Sequence, residues 1–332
     1  MDRDGFEAET LSLRSGLLAH CYRMMGSAVD AEDQVQETYL RAWRAFHDFD
    51  GRSSVKTWMY RIATNTCLNS LSSAQRRLLP SGLGDEPGDP AAPINPREAQ
   101  AWLEPLPDAM MWQDAAPTPE EQLLARENVT LAWTAALQHL SPQHRAVILL
   151  RDVLKLSAKE TAETLGTSVA SVNSALQRSR AAVGDGLPPS SAPDPDEQAA
   201  VQAFVDAFER HDFDAVTASM TQDVTWQMPP FDRWYRGAHH AAVLSFTHCP
   251  AERPGDLRFV QTRVNGQPAV GMYLRKGEEF EAFQLQALQV RDGKVHDVVG
   301  WFDPHLFRLA GLPMTLPKDQ SSIPTGNNSA RQ

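Results

Sequence analysis

Two groups of side chains have the types and spacing needed to handle nucleic acid. Within 54–77, Lys56, Tyr60, Arg61, Thr64 and Asn65 would share one face of a helix. Cations for phosphate, a ring for stacking and polar tips for base edges are what recognition of single-stranded DNA requires. Further along, Ser171, Asn173, Ser174, Gln177, Arg178 and Arg180 would line the outer face of a helix capped by Ser168. Asn, Gln and Arg can bond base edges bidentately in the major groove.

These faces sit in an acidic chain of 332 residues with a formal net charge of -11. The distribution matters more than the sum. Gly51–Gly84 and Thr164–Gly184 contain no Asp or Glu, while the first window carries Arg52, Lys56, Arg61, Arg76 and Arg77 and the second Arg178 and Arg180. Such local asymmetry of sign is what a phosphate-facing surface needs. Hydrophobic residues make up 42% and charged residues 22%, ordinary values for a globular protein, and the length suits two or three domains. The longest aliphatic run, Ala146–Leu150, is far short of the roughly 20 residues of a membrane span. The start, Met1-Asp2-Arg3-Asp4, lacks the basic-then-apolar pattern of a secretory signal. The three scattered cysteines, Cys21, Cys67 and Cys249, show no metal or disulfide spacing. A reducing cytoplasm is the location expected.

The elements that must position the first face lie in 10–77. Asp30 is expected to cap a helix whose buried stripe is Ala31, Val35, Tyr39, Ala42 and Phe46 and whose polar face holds Glu32, Asp33, Gln36, Glu37 and Arg41. A loop at 47–54 breaks the chain before a second helix with Val55, Trp58, Met59, Ile62, Ala63, Cys67 and Leu71 inward. The runs Asp30–Trp43 and Ser53–Asn65 closely resemble region 2 of extracytoplasmic-function members of the sigma-70 family. That resemblance implies that Asp33, Gln36, Glu37 and Arg41 dock on core RNA polymerase. It also implies that Phe49, Arg52, Ser53, Lys56, Tyr60, Arg61, Asn65, Arg76 and Arg77 capture the -10 promoter element, with a base drawn out of the stack.

Residues 120–184 carry a helix-turn-helix pattern. Ser157 and Glu160 form a capping box, and Ala162, Gly166 and Val172 supply the small residue, the turn and the apolar anchor. Val169, Val172, Leu176 and Val183 are expected to face inward. The segment resembles sigma region 4, implying that Ser171, Asn173, Ser174, Gln177, Arg178 and Arg180 read the -35 element. The two helical units are joined by 78–119, where nine of 42 residues are proline and the balance is one basic against seven acidic residues. Such sequence builds no core of its own and is expected to be extended. Its Trp102-Leu103-Glu104-Pro105-Leu106-Pro107-Asp108 resembles a linker motif of sigma subgroups with a C-terminal extension.

After a second linker, 185–196, residues 197–312 predict helices followed by a strand meander: an α+β unit with a curved antiparallel sheet, ending in a flexible tail at 313–332. Asn265-Gly266 and Asp292-Gly293 are hairpin turns. Phe208–Asp214, Trp226–Pro230 and Trp234–Gly237 resemble the SnoaL-like family of cone-shaped barrels. This makes Trp226, Trp234, Tyr235, His240 and Trp301 pocket candidates, and leaves Asp232, His239, His248 and Asp303 as residues that could form an acid–base pair. The composite expectation is multidomain: two all-α sigma domains and a SnoaL-like regulatory module, acting as a promoter-specificity subunit rather than an enzyme. It needs no cofactor or metal, and its partners are core RNA polymerase and promoter DNA, with a small-molecule ligand and an anti-sigma protein also admitted. Two alternatives stand beside it: a one-component helix-turn-helix regulator with a sensor, and a SnoaL-like isomerase or cyclase with a DNA-binding appendage.

Overall fold

The computed structural model describes residues 5, 9–49, 51, 53–72, 76–111, 129–183 and 196–318. The chain divides into two compact units. One comprises 1–78, 103–106 and 111–190; the other comprises 79–102, 107–110 and 191–332.

In the first unit, α1 (Arg14–Met25), α2 (Ala28–Arg44) and α3 (Val55–Ser70) pack on one another. Ser27, not Asp30, caps α2: its hydroxyl accepts from the Asp30 amide at 3.2 Å. The stripe that α2 buries is Ala28, Ala31, Val35, Thr38 and Ala42. Tyr39 is half-buried, with its hydroxyl on the Thr10 carbonyl. A second group of helices, α4 (Leu131–Gln138), α5 (Pro142–Ile148), α6 (Ala158–Leu165) and α7 (Val169–Val183), completes this unit. A π-helical turn, Leu149–Val153, follows α5. The capping box opening α6 forms as the sequence indicates, with Glu160 N to Ser157 Oγ at 3.1 Å and Ser157 N to Glu160 Oε2 at 2.7 Å. Gly166, at φ 61°, makes the left-handed turn between α6 and α7. Val172, Ala175, Leu176 and Ser179 form the buried side of α7, but Val169 is 43% exposed, because it lies in the first turn, ahead of the packed stripe.

The second unit packs α8 (Glu197–Glu209), α9 (Phe213–Ala218) and α10 (Ala238–His248) on a seven-stranded sheet. Its strands are β1 (Met220–Gln227), β2 (Trp234–Arg236), β3 (Leu257–Val264), β4 (Gln267–Lys276), β5 (Glu279–Arg291), β6 (Lys294–Trp301) and β7 (Thr315–Pro317), in the order β2-β1-β6-β5-β4-β3, with β7 on β5. The sheet is mixed, not wholly antiparallel: β1 runs parallel to β6, Trp226 beside Val298. The connection from β1 to β6 spans the whole meander, so no hairpin forces antiparallel pairing there. Both sequence-derived turns have two positive φ values, Asn265 and Gly266 at 53° and 71°, Asp292 and Gly293 at 54° and 68°. A short α11 (Pro304–Leu309) covers the outer face. The stretch expected to be a tail contributes β7, because Leu316 buries its side chain while pairing with Phe280.

The proline-rich linker is also ordered over its described part. Its 79–102 stretch builds almost no regular structure, yet packs into the second unit with strand-like backbone bonds. Proline fixes φ, so such a segment loses less conformational entropy when it docks.

Candidate nucleic-acid and polymerase interfaces

On α2, Val29, Asp33, Gln36, Leu40 and Trp43 fall within a narrow stripe opposite the buried one. Val29, Leu40 and Trp43 are 38%, 51% and 43% exposed, and Asp33 and Gln36 are exposed between them. Glu37 and Arg41 flank the stripe, joined by a 2.6 Å ion pair. Exposed apolar groups interleaved with polar ones mark a surface built for a protein partner. Leu40 is not singled out by the sequence, and Trp43, which the periodicity sets beside the buried stripe, is exposed instead. The signal was their position opposite Ala31 and Val35.

The α3 face is smaller than its sequence implies. Lys56 and Arg61 are exposed, Asn65 is half-buried and Ser53 is exposed. Tyr60 is 6% exposed and packs edge-on against His20, ring centroids 5.4 Å apart, so its ring is not presented for stacking. Thr64 is fully buried, bonded to His20 Nε2 at 3.0 Å. Phe49 leans on Trp58 at 5.2 Å. Arg61 donates from Nη2 to the Glu163 carbonyl on α6 at 3.3 Å. Arg76 is exposed. Arg77 is held by two carboxylates, Asp30 at 2.7 Å and Glu104 at 3.2 Å. Arg52 lies outside the described residues.

Ser171, Asn173, Ser174, Gln177, Arg178 and Arg180 are all exposed along α7. The capping hydroxyl of Ser168 accepts from Ser171 N at 3.1 Å. Arg180 is tied bidentately to Asp152, with Nε to Oδ2 at 2.8 Å, and this pairing raises its pKa further. A residue missed in the sequence is Arg145. Its guanidinium is 2% exposed and donates to the carbonyls of Met24, Leu137, Gln138 and Leu140. Burial lowers its pKa to about 10, which leaves it charged at neutral pH.

The described linker supplies groups to each unit. Leu103 N bonds Leu78 O, Glu104 N bonds Gly26 O at 3.0 Å, and Tyr22 Oη donates to Glu104 O at 2.8 Å, all in the first unit. In the second unit, Ser81 N meets Gln227 Oε1, Trp234 Nε1 donates to Asp85 O, Gly88 N to Trp234 O and Arg97 N to Pro230 O, at 2.8–3.0 Å. Ile94 packs against that unit's core. Asp108 Oδ1 accepts from Gly266 N at 2.9 Å. Of the apolar side chains in and just after the Trp102–Asp108 motif, Leu103, Met110 and Met111 are buried, and Trp112 lies outside the described residues.

The pocket candidates do not converge. Trp226 and Tyr235 are buried on the inner face of the sheet, whereas Trp301, paired with Leu285, belongs to the opposite face. Trp234 is engaged by the linker, and His240 is exposed, bonded to the carbonyl of Arg236. Nor do the acid–base residues meet. Asp303 caps α11, His248 binds the Pro90 carbonyl, His239 meets the Phe213 ring edge-on, and Asp232 lies 4.0 Å from Arg97 and Arg233. A groove of about 320 Å³ lies elsewhere, between α8 and the β3–β4 edge, and none of the candidates lines it. Among the described residues no helix is long and apolar enough to cross a membrane, and no trio of His, Cys, Asp or Glu is placed to hold a metal.

Residues 11–77 match Sigma-70 region 2, 130–183 match Sigma-70 region 4, and 201–298 match the SnoaL-like domain. The ECF RNA polymerase sigma factor SigG of Mycobacterium tuberculosis is 46% identical over 319 residues, covering 95% of this chain and 85% of that one. The ECF sigma factor SigJ of the same species is 28% identical over 98% of each. The crystal structure of SigJ shares the fold, with a TM-score of 0.57 and 22% identity over 92% of this chain and 99% of that one.

Proposed function

The chain belongs to the extracytoplasmic-function sigma factors of the sigma-70 family, carries a C-terminal SnoaL-like domain and directs transcription initiation; on that footing we propose how its residues divide the work. Core RNA polymerase docks on the α2 stripe, with Leu40 and Trp43 supplying apolar anchors and Asp33, Gln36, Glu37 and Arg41 the polar rim. Arg61, Lys56, Asn65, Ser53, Phe49, Arg52 and Arg76 meet the -10 element. Ser171, Asn173, Ser174, Gln177 and Arg178 meet the -35 element, and Arg180 joins them through phosphate once Asp152 releases it. Core polymerase and DNA place this work in the cytoplasm.

We further propose that the SnoaL-like domain tunes initiation through the linker. The observation that carries this reading is the linker's double allegiance. One short stretch gives 79–102 to the C-terminal unit and 103–106 to the helical unit that holds region 2. A change that loosens the first part would pull on Glu104, hence on Arg77 and the start of α2.

The test is transcription with purified core polymerase on promoters selected from a genomic library. Full-length protein and its Trp102→Ala variant are compared. Specific transcripts whose yield changes in Trp102→Ala support linker control. Equal yields from both sink that part alone, and absent transcripts with absent core binding would overturn the assigned interfaces.

A further inference from the structure

The helix assigned to the -35 element carries one side chain that the fold does not use. Among the described residues, large apolar side chains are exposed at few places. Val29, Leu40 and Trp43 belong to the α2 stripe, and Leu11 precedes α1. The remaining one is Val169, in the first turn of α7 and 43% exposed. A single exposed apolar residue is ordinary on a protein surface. Valine is nevertheless a poor choice at this position for the fold alone. Its branched Cβ lowers helix propensity, and its isopropyl group packs on nothing that α7 buries.

Its place on the helix gives it a use. Val169, Asn173 and Gln177 stand at i, i+4 and i+8, one row along α7, and all three are exposed. Ala170, next to Val169, is exposed too and carries only a methyl, so it leaves the first turn free to approach a groove floor. The serines on either side are engaged with each other. Their hydroxyls, Ser168 Oγ and Ser171 Oγ, lie 2.9 Å apart, and Ser168 also accepts from the Ser171 amide. In helix-turn-helix docking, the N-terminal residues of the second helix are those that reach base edges. In the major groove every base pair offers hydrogen-bonding groups, and thymine alone adds a methyl, at C5. Asn173 and Gln177 can read the first kind of feature. An isopropyl group can read only the second, by removing apolar surface on both sides from water.

We propose that Val169 sets specificity within the -35 element by packing on the C5 methyl of a thymine in the major groove. The proposal rests on the assignment of α7 to the -35 element and adds to it the identity of one base. The row places that thymine beside the bases met by Asn173 and Gln177.

The experiment uses holoenzyme formed from purified core polymerase and the full chain. A -35 element is first selected from randomised DNA. Each thymine of that element, on either strand, is then replaced by deoxyuridine, which pairs identically and lacks only the methyl. At one thymine the replacement should weaken binding about fourfold, the usual scale for one apolar carbon returned to water. Val169→Ala should weaken the thymine-containing DNA by a similar factor and be indifferent to deoxyuridine at that position, since the two changes remove the same contact. The deoxyuridine series on the unaltered protein decides even where the variant is poorly made. A selected element without thymine, indifference of the unaltered protein to every replacement, or a replacement effect that persists in Val169→Ala overturns the proposal. Failure of the -35 assignment itself looks different: selection then returns no -35 element, and scrambled DNA binds as well as any.

Discussion

Arg145, on α5, donates from Nη1 to the main-chain carbonyl of Met24, in the last turn of α1. A residue of the region 4 segment thereby satisfies the end of a region 2 helix. Its other nitrogens serve Leu137, Gln138 and Leu140. Arg145→Met would fill similar volume yet remove the side-chain donor that serves four carbonyls, of which Leu137 keeps the Leu140 amide. The expected loss is about 3 kcal/mol, read as a lower urea midpoint, with Arg145→Lys recovering part of it. An unchanged midpoint would mean that water replaces the guanidinium.

The α2 stripe predicts two separable effects. Leu40→Asp and Trp43→Ala should each weaken binding to core polymerase by about 2 kcal/mol, the usual scale for an apolar anchor. Both side chains are exposed, so the fold should keep its melting temperature to within a few degrees. Binding to core can be followed by fluorescence anisotropy of labelled protein. Unaltered affinity in both variants would remove this face as the docking site.

Arg61 and Arg77 should part company. Arg61 is exposed and bonded to one neutral carbonyl, so a phosphate can claim it. Arg77 already serves two carboxylates. Arg61→Ala should therefore reduce by about one the slope of log affinity against log salt for holoenzyme on promoter DNA. Arg77→Ala should leave that slope unchanged and cost about 1 kcal/mol of stability, since both pairs are partly exposed. Equal slopes in the two variants would return Arg77 to the DNA interface.

What the sequence made legible was local chemistry. The Ser157–Glu160 box, the Gly166 turn, the two hairpin turns and the exposed side of α7 each follow from a few neighbouring residues. Features set by distant partners were not legible. Tyr60 has the type and spacing of a stacking residue, but His20, forty positions earlier, takes its ring edge. Asp30 looks like a cap because acids favour helix starts, yet Ser27 fills that role and frees Asp30 for Arg77. The linker's composition correctly forbids a core of its own, but cannot reveal that Ile94 borrows one from the C-terminal unit. The β7 strand hides in three residues whose pairing depends on Phe280.

Burial gives region 2 an acid-sensitive group. His20 is fully buried between Thr64 and Tyr60, and desolvation, aided by the nearby Arg23 charge, lowers its pKa from 6.5 to about 3. The folded state therefore holds a neutral imidazole where the unfolded chain takes up a proton. Below pH 6.5 the unfolded state binds more protons, so stability falls as pH drops and keeps falling until about pH 3. At one proton the slope is about 1.4 kcal/mol per pH unit, or about 2 kcal/mol lost between pH 7 and pH 5. Urea unfolding at pH 5, 6 and 7 measures it. His20→Gln keeps a hydrogen-bonding side chain without titrating, and should flatten the profile over this range by about that amount. A variant as pH-dependent as the parent would assign the slope to other groups.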